Sequence, residues 1–143
     1  MKRIAVIAAL LATACGADAE LQGSSGTAAT ITLQSSIEAA TRKLTVRIIG
    51  PRDKSNVIVT CTSLLSGNPI DARYDTLKTA ELDYPPSDPA NLMISDVKKK
   101  DGVVVYVDAR NAQNQVIGEG CEAGVDVEGG KTATVNIVIY PAS

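Results

Sequence analysis

The chain reads as all-β, a single antiparallel β-sandwich of about seven strands, on three observations. Aliphatic residues alternate with polar ones along most of its length, the period of a half-buried strand. Clusters of Gly, Pro, Asn and Asp recur between these runs and supply turn chemistry. The third observation is compositional. With four tyrosines, no phenylalanine and no tryptophan, the core must be built from Val, Ile, Leu and Ala.

Residues 1–14 read as an export leader. Lys2 and Arg3 form a positive start, Ile4 to Leu11 an apolar stretch too short to span a bilayer, and Ala12-Thr13-Ala14 a small-residue cleavage site. Residues 16–27 are small and polar without apolar periodicity, a flexible tether reaching at most about 40 Å. The sandwich domain is then expected over 28–143. Thr30 to Gln34 alternates, and Lys43 to Ile49 places Leu44, Val46 and Ile48 on one face with Thr45 and Arg47 on the other.

Gly50-Pro51-Arg52-Asp53-Lys54 is a turn, followed by an expected strand from Asn56 to Ser63. There Val57, Val59 and Cys61 share a face, so the Cys61 sulfur is expected to point into the core toward the opposite sheet. The stretch 64–91 carries Pro69, Pro85, Pro86 and Pro89, and within it Thr76 to Leu82 is expected as an edge strand flanked by loops. A hairpin joins Leu92–Val97 to Val103–Ala109 and continues through Asn111–Asn114 into Gln115–Cys121. A last hairpin runs from Val125–Glu128 through Gly129-Gly130 to Thr132–Tyr140, with Val135, Ile137 and Ile139 inward. Gly118 and Gly120 interrupt the strand before Cys121, marking either a bulge that resets the parity or a close backbone approach.

Leu11-Ala12-Thr13-Ala14-Cys15 resembles the lipobox of bacterial lipoproteins, with Ala12 where leucine is commonest. The resemblance implies that Cys15 becomes the acylated N-terminus of the mature chain. Gly16 stands where some lipoproteins carry an inner-membrane retention aspartate, which implies delivery to the outer membrane. The rival reading is plain secretion, cleaved after Ala14, leaving Cys15 an unmodified thiol. Three cysteines are present, Cys15, Cys61 and Cys121. In an oxidising compartment cysteines pair, and an acylated Cys15 explains the odd one. Cys61 and Cys121 then form one disulfide, worth about 4 kcal/mol by chain-entropy reasoning.

The later half, Val103 to Arg110 through Ile117-Gly118-Glu119-Gly120-Cys121 to Val135, resembles the tail of immunoglobulin-like or transthyretin-like sandwiches of bacterial surface lipoproteins. Such folds host adhesion, binding, scaffolding and regulation, so the likeness speaks to architecture and leaves function open.

Removing the leader takes Lys2 and Arg3 from the fourteen basic residues and leaves twelve against sixteen acidic ones, a net of about minus four. Nucleic acid is therefore not an expected partner. The chain contains no histidine, which removes the Ser-His-Asp and Cys-His constellations and imidazole ligation. Ser55 with Lys54, or Ser95 with Lys98, is a formal dyad, but adjacent strand residues point apart. Asp83, Asp88, Asp96 and Asp101 fall in turns or exposed flanks. The Asp108–Asn114 cluster bunches oxygens that suit calcium, against the simpler reading of a polar turn. Lys98-Lys99-Lys100 is either a lipid or polysaccharide contact or a solvated turn. Tyr74 and Tyr84 are the candidate binding residues, against packing of the insertion on the sandwich.

No catalytic residue, metal or cofactor is expected. The expectation is a non-enzymatic, lipid-anchored cell-envelope protein whose disulfide-bonded domain meets an envelope protein or polysaccharide. The alternative is a carbohydrate-binding module of the cell surface.

Overall fold

The structure, a computed structural model, describes residues 26–65, 70–85, 92–95 and 97–142. Among the described residues seven strands are formed: β1 (Gly26–Leu33), β2 (Lys43–Ile49), β3 (Thr76–Asp83), β4 (Leu92–Ser95), β5 (Lys100–Arg110), β6 (Val116–Val127) and β7 (Thr132–Pro141). Helix among the described residues is confined to three single turns, α1 (Ser35–Glu38), α2 (Cys61–Leu64) and α3 (Ile70–Arg73). The protein is all-β. Its strands pair in the order β3-β2-β5-β6-β7-β1-β4, one mixed sheet curled into a half-barrel.

One pairing departs from the wholly antiparallel expectation. β1 runs parallel to β7 over eight consecutive pairs, from Gly26↔Thr132 to Leu33↔Ile139. No connection joins these two strands directly, because one is the first strand along the chain and the other the last. The crossover that parallel neighbours normally require is therefore absorbed by the rest of the fold. β6 and β7 pair only at Gly118↔Pro141 and Glu119↔Tyr140. The strands on either side of this short seam share one hydrophobic cluster.

Alternation fills that cluster. Leu44, Val46 and Ile48 of β2, Val103, Val105, Val107 and Ala109 of β5, and Val135, Ile137 and Ile139 of β7 are all buried in it, with Ala29 and Leu33 from β1. The turn of α1 adds Ile37 to the same cluster. The glycines of β6 are explained here. A Cβ on Gly118 would lie 2.5 Å from Ile37 Cδ1, and one on Gly120 would lie 2.5 Å from the Val138 carbonyl oxygen. They permit close approach of β7 and α1. The parity reset sits further along: Val105 faces Glu122 but Val103 faces Val125, an irregularity accommodated by Gly124 at φ +70°.

The segment 56–63 is not a strand. Ile58 makes a single bridge to Arg52, and Val57 and Ile58 are exposed. Thr60 then caps α2: its Oγ1 accepts the Ser63 N–H at 3.2 Å, and Ser63 Oγ accepts the Thr60 N–H at 3.1 Å. This reciprocal cap starts a helical turn at Cys61, where strand parity would have continued. β3, by contrast, is the expected edge strand, pairing only with β2.

Residues 50–65 and 70–75 lie as a strap on the convex side. Val59, Leu64 and Tyr74 bury a second cluster with Ile49 of β2 and Val104 and Tyr106 of β5. That is why Val103 to Ala109 is buried on both faces. The Cys61–Cys121 disulfide, with S–S at 2.09 Å and Cα–Cα at 5.7 Å, joins the strap to β6 beside this cluster. The pairing is the expected one, but its place is the convex side and not the space between two sheets.

Candidate functional site

Charged side chains concentrate on the convex face of β2, β5 and β6, where parity aims residues 43, 45 and 47 and residues 106, 108 and 110 outward. The register sets Thr45 opposite Asp108, Arg47 opposite Tyr106, and Asp108 opposite Glu119. Asp108 is buried, and its carboxylate accepts Arg47 Nη1 at 3.2 Å and Arg110 Nε at 2.7 Å. Two guanidiniums thus offset the desolvation of one carboxylate. The hydrogen bond from Arg110 to Asp108 raises the arginine's pKa further, against a smaller opposing effect of its own burial.

Beside this triad Tyr106 donates its hydroxyl to Glu119 Oε1 at 2.6 Å. Burial first, and then the Glu119 acceptor, push the phenol far above its ordinary range. Tyr106 therefore stays protonated at any physiological pH, a donor in a fixed network. Toward the edge, Lys43 pairs with Glu81 at 3.3 Å. A depression of about 330 Å³ opens next to that pair, lined by Arg42, Asp83, Asn111 and Asn114 as well. A second one, about 340 Å³, lies at the other end among Gly50, Arg52, Asp53, Asp75 and Lys100.

The Asp108–Asn114 oxygens do not converge. Asp108 faces the arginines, while Asn111 Oδ1 accepts the N–H groups of Gln113 and Gln115 at 3.0 and 2.9 Å, closing a polar turn on itself. Among the described residues no group of three or more Cys, Asp or Glu is placed to hold a metal ion. Lys98, Lys99 and Lys100 are exposed where β5 begins. Ser55 donates its backbone N–H to Asp53 Oδ1 at 2.9 Å in the strap turn. Ser95 ends β4 with its side chain exposed. Asp83 ends β3 opposite Lys43, and Asp101 is exposed near the start of β5.

The two tyrosines are not brought together. Tyr74 is 2% exposed in the second cluster, and its hydroxyl donates to the Ser63 carbonyl at 3.1 Å. Tyr84 packs half-buried against the first cluster and donates to Glu38 Oε1 at 2.9 Å; burial and this carboxylate raise its pKa. They flank opposite ends of β3, about 25 Å of strand apart. Cys15, the leader and most of the tether lie outside the described residues, as do Asp88 and Asp96.

The Arg47–Asp108–Arg110 cluster escapes a reading that looks for motifs, because its members are 61 residues apart in the chain for the Arg47–Asp108 pair. Its signal was parity alone: Arg47 and Asp108 each stand on the polar face of an otherwise aliphatic strand. Comparison with known proteins finds no family model, no curated protein and no solved structure that matches this chain.

Proposed function

We propose that the chain is an exported cell-envelope protein, held to the outer membrane by lipid on Cys15, whose β-domain has a binding or structural duty and no catalysis. The observation that carries this reading is the pairing of Cys61 with Cys121. A disulfide suits the oxidising compartment to which the leader addresses the chain, and it leaves Cys15 as the one unpaired sulfur in the lipobox position. Support for a non-catalytic role is the state of the buried charges: Asp108 is held by two arginines and Tyr106 by Glu119, so the network is closed on itself.

The immunoglobulin-like assignment belongs to the same proposal. Taking strands in chain order, the neighbours β2–β5 and β6–β7 are those of an immunoglobulin domain, and the two halves of the sheet enclose one core. The pairs β2–β3, β5–β6, β1–β7 and β1–β4 lie outside the ABED and CFG strand orders of that domain.

Intact mass of the full chain purified from a bacterial envelope tests the reading. The expected product lacks residues 1–14, carries glyceride-linked acyl chains on Cys15 and has lost two hydrogens to the disulfide. Cys15→Ser should return the protein to the soluble fraction without changing the disulfide. An unacylated product with its leader retained overturns the proposal.

A further inference from the structure

The convex face of the other half of the sheet, formed by β1 and β7, has a chemistry unlike the rest of the surface. Its outward side chains include Thr30 and Thr32 on β1 and Thr134, Asn136, Val138 and Tyr140 on β7, all exposed. Among the described side chains that β1 and β7 place on this face none is charged, and the strip ends where Tyr140 stands opposite Glu119 of β6. The face of β2, β5 and β6 presents Lys43, Arg47, Arg110 and Glu119 instead. The eight β1–β7 pairs run without a register shift, so Thr30 stands opposite Asn136 and Thr32 opposite Val138. Val138 is 44% exposed and Tyr140 55%, at the end where β7 meets β6.

We propose that this β1–β7 face binds a single extended chain of a neutral polysaccharide, with Tyr140 and Val138 under the sugar rings and the threonines and Asn136 hydrogen-bonding their hydroxyls. The proposal rests on the binding-domain reading above and supplies its ligand class. Size selects the occupant. Eight residues at about 3.3 Å rise, on two strands about 4.8 Å apart, make a strip of about 250 Å². A stable protein interface needs about 800 Å² on each partner, with an apolar centre that two side chains at one end do not provide. An extended peptide would add to a strand edge through its backbone, and this strip is a face. A linear glycan fits its width, and the absence of charge matches a polymer without charge. An aromatic ring beside hydroxyls is the pairing that a sugar's apolar face and polar rim require.

The test is sedimentation of the purified full chain, in detergent, with amorphous cellulose or chitin, and with immobilised polygalacturonate as the anionic comparison. Binding to a neutral polymer, unchanged from low to high salt, is expected. Tyr140→Ala should weaken it at least tenfold, and Thr32→Lys with Thr134→Lys should abolish it, both at an unaltered melting temperature. If the lysine pair perturbs folding, Asn136→Asp serves in its place, with weaker binding expected. Cys15→Ser should bind like the parent, so failure of the anchor and failure of the sugar site report separately. No binding to either neutral polymer, binding kept by Tyr140→Ala, or binding to polygalacturonate alone overturns the proposal. So does self-association lost on Tyr140→Ala.

Discussion

Asp53 shows how much one side chain organises in the strap. Its Oδ1 accepts the N–H groups of Ser55 and Val57, each at 2.9 Å, and its Oδ2 accepts Arg73 Nε at 3.1 Å. The Val57 N–H above all, with Arg73 and Ser55, holds its carboxyl below the usual carboxylate range, against the opposing effect of burial. A folded-state pKa below the unfolded value of about 3.9 means that the anion favours the folded state. This contribution is complete above the unfolded pKa and is lost as pH falls through the folded one. Melting curves should therefore show Asp53→Asn less stable than the parent at pH 7, with the gap closing in acid below about pH 4. A gap that is constant with pH would refute it. Asp53 was readable from sequence only as part of a turn, since its partner Arg73 is 20 residues away.

The elements show where periodicity suffices. Lys43 to Ile49 and Thr132 to Tyr140 alternate and are strands, and Val103 to Ala109, aliphatic on nearly every position, is one as well, because each buries a face in the same core. Residues 57, 59 and 61 alternate just as well, yet the polar cap between Thr60 and Ser63 turns the chain into a helical turn. Period two in an exposed strap carries no information about pairing. The four-residue helices α1 and α3 are too short to display any period. Lys78 stands opposite the core residue Ile48 on edge strand β3, a charge on the inward-facing side that discourages further pairing, and β4 has only four residues.

β6 supplies the sharper test at this scale. A Cβ on Gly120 meets the Val138 carbonyl oxygen at 2.5 Å and Ile137 Cγ2 at 2.8 Å, whereas the nearest atom at Gly118 is the side-chain terminus of Ile37. Backbone cannot swing aside as a methyl group can. Gly120→Ala should cost about 2–3 kcal/mol in denaturant unfolding, and Gly118→Ala less. Equal costs, or a neutral Gly120→Ala, would contradict the close packing of β6 on β7.

At the scale of the whole molecule, the disulfide closes a separation of 60 residues and pins a strap, not a sheet. The double variant Cys61→Ser/Cys121→Ser should lose about 4 kcal/mol of stability. Limited proteolysis should then cut first within 50–75, ahead of any strand. Cleavage beginning in β1 or β7 would mean that the bridge supports the half-barrel itself. The cysteine count made the pairing legible, but its position was not, since that depended on Cys61 lying in α2. The surface was harder to read. Tyr74 and Tyr84 stand out in the sequence because they lie in the proline-bearing stretch 64–91, while Tyr140 is one residue of a regular strand. Exposure depends on which half of the sheet the strap covers, a long-range fact that local pattern does not contain.

The parallel seating of β1 on β7 has a mechanical side. The chain enters β1 at residue 26 and leaves β7 at residue 141, at the opposite end of the same pair of strands. Tension between those points pulls the two strands along their length in opposite directions, so the whole ladder is loaded in shear at once. A hairpin pulled from its open end gives way one rung at a time; this arrangement has no first rung to lose.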